Sequence, residues 1–284
     1  MRTIDLGGVR ATVLDAGRIW LDGGAMFGVV PRTLWSRERE PDESNRIELA
    51  MNVVLLDDGH RRVLIDTGAG VDWAEKDRAI YRLGPRSAAE LLAPAGVTPR
   101  DVDAVVCSHL HFDHAGGNTE QDAGGGRVAA FPEARYVMQR GELEFARNLN
   151  ERTRASYHAD SFEPLLAESD RVEIVDGDHR PYPWLALRIA PGHTPFHQIA
   201  VIEGGARTLA FLADLVPTAS HLRYPWIMGY DVEPLATLAS KKRVLAEAVR
   251  ERWMVVFQHD ARRAVAELIE EGGRIAARAV PAEA

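Results

Sequence analysis

The chain has 284 residues, 46% of them hydrophobic and 27% charged, which is enough apolar material for one large globular domain over 1–284. Its formal charge of −8 and the absence of any Lys/Arg run longer than three residues argue against a nucleic-acid partner, because phosphate backbones are held by clustered cations. A single cysteine, Cys107, excludes an internal disulfide and a thiolate-rich metal site.

Residues 1–8 hold no apolar signal-like core and no apolar run reaches the length of a membrane span, so the expected setting is the cytoplasm, with no membrane partner. In chain order, short apolar or alternating runs bounded by Gly, Asp or Pro predict strands at 9–14, 51–56, 63–65, 102–106, 136–138, 185–189, 199–202, 209–212 and 254–257. The sign-alternating Arg37-Glu38-Arg39-Glu40 reads as a solvated face. Helices are expected near 88–92 and 141–147. A longer one starts near Pro234, with Leu235, Leu238, Ala239, Leu245, Ala246 and Val249 on one face. A last helix is expected after His259, with Ala264, Val265, Leu268 and Ile269 inward and Gly272-Gly273 ending it.

Strands dominate each half, with helices between and after them. That order favours two mixed sheets packed together and covered by helices on their outer faces. Two segments, 22–45 and 216–231, show no period, and loops of this length inside a compact domain commonly serve function. Both carry large apolar side chains that are costly to leave in water. Phe27, Trp35, His221, Tyr224, Trp226 and Met228 are therefore candidates for a substrate pocket. The alternative is that the segments pack down on themselves or form a homodimer interface.

The chemistry is concentrated in Ser108-His109-Leu110-His111-Phe112-Asp113-His114-Ala115-Gly116-Gly117, where three imidazoles and a carboxylate follow a strand end. Imidazole and carboxylate suit zinc-like divalent ions, and the two glycines let the chain bend so that these side chains converge. His193, Asp214 and His259 each stand just past another predicted strand, where side chains can meet without distorting the core. Asp66 follows a strand in Leu64-Ile65-Asp66-Thr67-Gly68 and suits either an outer hydrogen bond to a ligand histidine or a turn. His197 reads as a packed histidine or one placed behind the ligands, and Cys107 as a core residue.

With those five motifs in order, the chain resembles the metallo-beta-lactamase superfamily over about 9–263. The resemblance implies an αββα sandwich and a site for two divalent metal ions, zinc before manganese, iron or cobalt. It implies that His109, His111 and His193 hold one ion, that Asp113, His114 and His259 hold the other, and that Asp214 bridges them. It further implies a hydrolase that uses a metal-bridging hydroxide, with Asp113 and Asp214 as catalytic carboxylates and Asp113 also able to pass a proton to the leaving group. Aspartate at position 214, where zinc beta-lactamases commonly carry cysteine, points toward the lactonase and organophosphate-hydrolase branch. The 25 residues after His259 are too few for the helical region of glyoxalase II-like thioesterases.

A small lactone or ester is therefore the expected substrate and partner. Phosphotriester or aryl-ester hydrolysis is the alternative, followed by a mononuclear iron sulfur dioxygenase and a non-enzymatic metal-binding module. One departure stands out. Lactonases of this kind often place a tyrosine shortly after the bridging aspartate, whereas Leu215-Val216-Pro217 follows here and the nearest tyrosine is Tyr224.

Overall fold

The computed structural model describes residues 1–167 and 170–280; residues 281–284, the end of the expected domain, lie outside the described residues, as do 168 and 169. In chain order the strands of the first half are β1 (Arg2–Asp5), β2 (Arg10–Asp22), β3 (Arg46–Asp57), β4 (Arg62–Ile65), β5 (Gly84–Pro85), β6 (Ala104–Val106), β7 (Thr119–Gln121), β8 (Arg127–Ala129), β9 (Arg135–Gln139) and β10 (Val172–Val175). Those of the second half are β11 (His179–Tyr182), β12 (Leu185–Ile189), β13 (Gln198–Glu203), β14 (Thr208–Phe211), β15 (Met254–Val256), β16 (Val265–Glu271) and β17 (Arg274–Ala279). The helices are α1 (Gly23–Phe27), α2 (Arg32–Trp35), α3 (Glu75–Tyr81), α4 (Ala88–Leu92), α5 (Phe112–Ala115), α6 (Arg140–Arg147), α7 (Glu163–Leu166) and α8 (Pro234–Arg250).

The first sheet runs β1-β2-β3-β4-β6-β9-β10, with β5 on β2, and the second runs β11 to β17 in sequence order. Side chains alternate across each strand, so one sequence feeds two layers. Val54, Leu56, Val63, Ile65 and Val106 meet Leu185, Leu187, Ile202, Leu209, Phe211 and Val256 between the sheets. The opposite face of the first sheet, including Val53, Leu55, Leu64 and Val105, is buried in a cluster with residues of α1, α2, α4, α6 and α7. The opposite face of the second sheet, including Val201, Ala210 and Val255, is covered by Val244, Leu245 and Ala248 of α8. This is the αββα sandwich.

Three expectations need correction. Among the described residues no helix follows His259. Residues 265–279 form the hairpin β16–β17 instead, in register from Glu271↔Arg274 to Ala266↔Ala279. Gly272 and Gly273, at φ 57° and 72°, supply its two-residue turn, a conformation that matches the strand twist and requires positive φ at both positions. Val265 points into the layer between the sheets while Ala266 and Leu268 join the cluster under α8, a period of two that the Ala- and Glu-rich composition disguises.

The inner face of α8 also differs from its expected apolar stripe. Leu235 is 82% exposed, and the buried positions are Thr237, Ser240, Lys241, Val244, Leu245 and Ala248. The polar ones are buried because each is hydrogen-bonded: Thr237 Oγ1 to Asp231, Ser240 Oγ to Pro191 O, and Lys241 Nζ to the carbonyls of Arg223 and Trp226. Finally, Arg39 is no solvated charge but a buried partner of Asp260, with both side chains enclosed. Among the described residues no helix is long and apolar enough to cross a membrane.

Candidate metal centre

Strands β4 and β6 are parallel, as are β14 and β15, and β12 runs with β14 because both are antiparallel to β13. Their C-terminal ends therefore deliver Asp66, His109, His193, Asp214 and His259 to one rim of the sandwich. Two backbone joints close that rim. Gln198 donates from its backbone N to Ser108 O (3.0 Å) and from Nε2 to Cys107 O (2.7 Å). On the other side Asn52 N donates to Gln258 O (2.9 Å) and Ala50 N to His259 O (3.3 Å).

After His109 and His111 the chain turns into α5, with Ala115 N donating to His111 O (2.9 Å). That turn carries Asp113 and His114 toward a second group of ligands. The two glycines that follow are needed for space more than for bending. Gly116 has an ordinary helical φ of −59°, but a Cβ on it would stand 2.5 Å from Ala69 O, and one on Gly117 2.6 Å from Thr67 O. The loop after β4 thus packs directly on the motif.

The potential ligand atoms form two buried groups, His109–His111–His193–Asp214 and Asp113–His114–His259, each within 4.8 Å. Asp214 faces both: Oδ2 lies 3.1 Å from His193 Nε2 and 3.5 Å from His114 Nε2, and Oδ1 lies 3.2 Å from His259 Nε2. His259 Nε2 is also 3.4 Å from Asp113 Oδ2, and His193 Nε2 is 3.0 Å from His111 Nδ1. His109 Nε2, His114 Nε2 and Asp214 Oδ1 are buried without a hydrogen-bond partner. Buried polar atoms left this way are costly, and cations at the two group centres would satisfy them, so the donor set fits divalent metal.

The outward ring atoms are held from behind. His114 Nδ1 donates to Asp66 Oδ2 (2.8 Å), and Asp66 is itself fixed by Ser108 N and Oγ (2.7 Å each). His193 Nδ1 donates to Asp231 Oδ1 (2.9 Å), His259 Nδ1 to Ala50 O (2.8 Å) and His109 Nδ1 to Ser108 Oγ (3.1 Å). These bonds set the tautomer that leaves Nε2 facing the centre. Asp66, at φ 58°, and Ala213, at φ 44°, hold strained backbone beside the site, a conformation that costs roughly 1–2 kcal/mol for a residue other than glycine. Asp231 and its support from Thr237 went unseen in the sequence, where Asp231 is one acid at the end of an irregular segment.

Electrostatics separates the histidines. Burial, with neighbouring imidazoles, pushes His109 and His111 well below the ordinary range. For His114, His193 and His259 burial opposes charge, but the Asp214 carboxylate leads the influences that outweigh it and raise them. Asp214 is held well below its ordinary value, burial notwithstanding, by His259, His193 and His114. Burial also drives the Cys107 thiol up to about 12, so it acts as inert core under the motif.

The pattern that defines the metallo-beta-lactamase superfamily matches residues 47–259. The chain belongs to that superfamily. Among its relatives, an N-acyl homoserine lactonase of Bacillus cereus is 28% identical over 230 residues, 76% of this chain and 83% of the relative. A second, from a Bacillus species, is 32% identical over 173 residues, 60% of each chain. A solved structure of a probable metal-dependent hydrolase from Staphylococcus aureus superposes with a TM-score of 0.88 at 29% identity, covering 96% of both chains. The dizinc quorum-quenching lactonase AidC, at 21% identity and TM-score 0.80 over 97% of this chain and 96% of its own, shares the fold.

In this superfamily member, of the six residues expected to wall a substrate pocket, Tyr224 and Trp226 line a surface groove and Phe27, Trp35, His221 and Met228 are buried. Phe27 stacks on Trp35 (5.4 Å) and on His221 (4.8 Å) and meets Trp226 edge-on (5.4 Å); all four are nearly fully buried, as is Met228 in the same core. The His221 Nε2 proton goes to Met26 O and its Nδ1 accepts from Thr218 Oγ1, both at 2.8 Å. That histidine, driven down to about 3 by burial, fastens the two irregular segments to each other. Tyr224 lies under Lys242 in a surface groove with Pro225, Ala246 and Val249 that contains none of the seven ligand candidates.

His197 is fully buried and accepts from Asp214 N at 3.2 Å. What flanks Asp113 is a different aromatic group. Phe112 meets Trp73 (5.0 Å) and Tyr81 (5.4 Å), and the exposed His158 stacks against it (5.6 Å). Tyr230, half-buried against the same cluster, feels the charges of Asp22 and Asp113. Sequence pattern missed these residues because Trp73, Tyr81 and His158 lie in separate loops and short helices that only the fold brings together.

Proposed function

We propose that the chain is a dinuclear metal-dependent hydrolase that opens the ester ring of a small lactone, with N-acyl homoserine lactones as the first substrates to try. The observation that carries this reading is Asp214, whose two oxygens face two separate ligand groups at 3.1–3.5 Å. A single metal would leave Asp113, His114 and His259 gathered and buried with no purpose. That weighs against a mononuclear oxygenase. The lactonase relatives support the choice of substrate.

His109, His111 and His193 would hold one ion, Asp113, His114 and His259 the other, and Asp214 both; zinc is the first candidate for these ligands. When bound, such a pair supplies a water nucleophile at neutral pH and stabilises the oxygen charge that develops as the carbonyl is attacked. The chain's own residues do the rest. Phe112, Trp73, Tyr81 and His158 offer an apolar wall beside Asp113 for the acyl portion. Tyr230 donates its phenol proton toward the developing oxyanion, and Asp113 carries a proton to the leaving alkoxide.

Asp214→Ala is the direct test. The expected result is loss of one or both metals and a fall in lactone hydrolysis of about 100-fold or more, since bridging charge and ligand are removed together. Unchanged metal content and rate would refute the reading. Phosphotriesters and aryl esters run alongside decide whether lactones are the preferred class.

A further inference from the structure

Glu142, on α6, is 1% exposed and lies outside the ligand set. Its Oε1 accepts from Leu110 N (3.1 Å) and Tyr157 Oη (2.9 Å), and its Oε2 accepts from Thr194 Oγ1 (2.6 Å). Among the described residues no salt bridge neutralises it, and burial raises its pKa. A charge-bearing side chain is expensive to bury unless it is held by several donors, so its presence calls for a purpose.

The three donors share one feature. Leu110 separates His109 from His111, Thr194 follows His193, and Tyr157 pairs by a backbone bridge with His111 and sets its ring edge-on to that imidazole at 4.6 Å. One carboxylate therefore ties together the His109–His111 segment, the segment of His193, and Tyr157, which packs on His111. None of its bonds is made by Asp113, His114 or His259 or by a residue next to them. Those are held separately, by Asp66 on His114 and by Gln258 and Ala50 on the other two.

We propose that Glu142 is a positioning residue of the His109–His111–His193 metal site, acting through its three hydrogen bonds rather than its charge and alongside Asp231, which holds His193 directly. This rests on the two-metal reading above. Geometry makes the distinction between bonds and charge testable. In Glu142→Gln the amide oxygen can still accept from Leu110 N and Tyr157, while the amide nitrogen can donate to Thr194 Oγ1, so all three ties survive without the charge.

The experiment follows zinc release from fully loaded protein to a chelating dye, which resolves one phase per zinc. Thr194→Val and Tyr157→Phe should each speed one phase by about tenfold and leave the other unchanged, in keeping with the loss expected for a support behind metal ligands. Glu142→Gln should behave as wild type, whereas Glu142→Ala should lose the first zinc; if the alanine variant does not fold, the Thr194, Tyr157 and glutamine variants still decide. The proposal is overturned if Thr194→Val and Tyr157→Phe change neither phase or both equally, or if Glu142→Gln releases zinc as fast as its alanine counterpart. A wild type that takes up a single zinc overturns the two-metal reading and this proposal together, whereas two zincs with indifferent variants overturns the proposal alone.

Discussion

Tyr230 and Tyr224 stand close in sequence and are placed in opposite settings. Tyr224 sits in a surface groove, while Tyr230 is half-buried against the core of the first sheet, and burial together with the charges of Asp22, Tyr81 and Asp113 raises its phenol so that it remains a proton donor across the working range. If Tyr230 stabilises the oxyanion, Tyr230→Phe should lower kcat by about 100-fold with metal content unchanged, the loss typical of one such donor, and Tyr224→Phe should leave kcat as it was. Steady-state rates with elemental analysis check both. At this scale the two buried His/Asp groups were legible because the chemistry admits few residue types and places them at strand ends. Glu142 and Asp231 were not, because an isolated acid in a one-dimensional pattern looks like any surface acid until the fold shows that it is buried and what it touches.

Helix α8 shows why an apolar stripe misleads. Its buried face is chosen by what the neighbouring loops need, and Lys241 gives up solvation to hold Arg223 O (3.0 Å) and Trp226 O (2.8 Å). Burial, only partly offset by Asp231, brings this lysine from 10.5 down to about 7. Below pH 7 it is charged folded or unfolded and the burial cost is fully present. As pH rises from about 7 toward 10.5 the unfolded chain holds the proton that the folded chain has released, so folding gains stability over that window. Urea unfolding should therefore show wild type gaining on Lys241→Met between pH 6.5 and 9.5, values that bracket the lower end of the roughly 7 to 10.5 window; a flat or falling difference would contradict the assignment. The neutral amine still has two hydrogens for two carbonyls, so the loop stays held throughout.

The hairpin β16–β17 teaches the same lesson for a strand pair read as a helix. Local composition favoured helix, and pairing with β15 decided otherwise. Because a Cβ on Gly273 would meet nothing within 4 Å, Gly273→Ala isolates the conformational cost of its φ of 72°. The expected loss is about 1–2 kcal/mol in urea unfolding with full metal content, the ordinary cost of a left-handed conformation for a residue with a side chain.

Across the whole molecule, the site exists because two sheets meet at one rim. The first sheet supplies His109 to His114 and the second supplies His193, Asp214 and His259, and the bonds of Gln198 and Asn52 fix the distance between them. The sandwich was legible from the order of strands and the family motifs. The covering of the rim was not, because the packing of Phe27, Trp35, His221 and Trp226 joins residues nearly two hundred positions apart, a relation no local pattern carries.

The central claim is that two metals act as one hydrolytic centre. Metal-stripped protein titrated with zinc while N-acyl homoserine lactone hydrolysis is followed tests it most directly. The account predicts no rate without metal and a maximum at about two zinc ions per chain, as a paired site requires. Full activity in the stripped protein, or a plateau at one zinc, would contradict it.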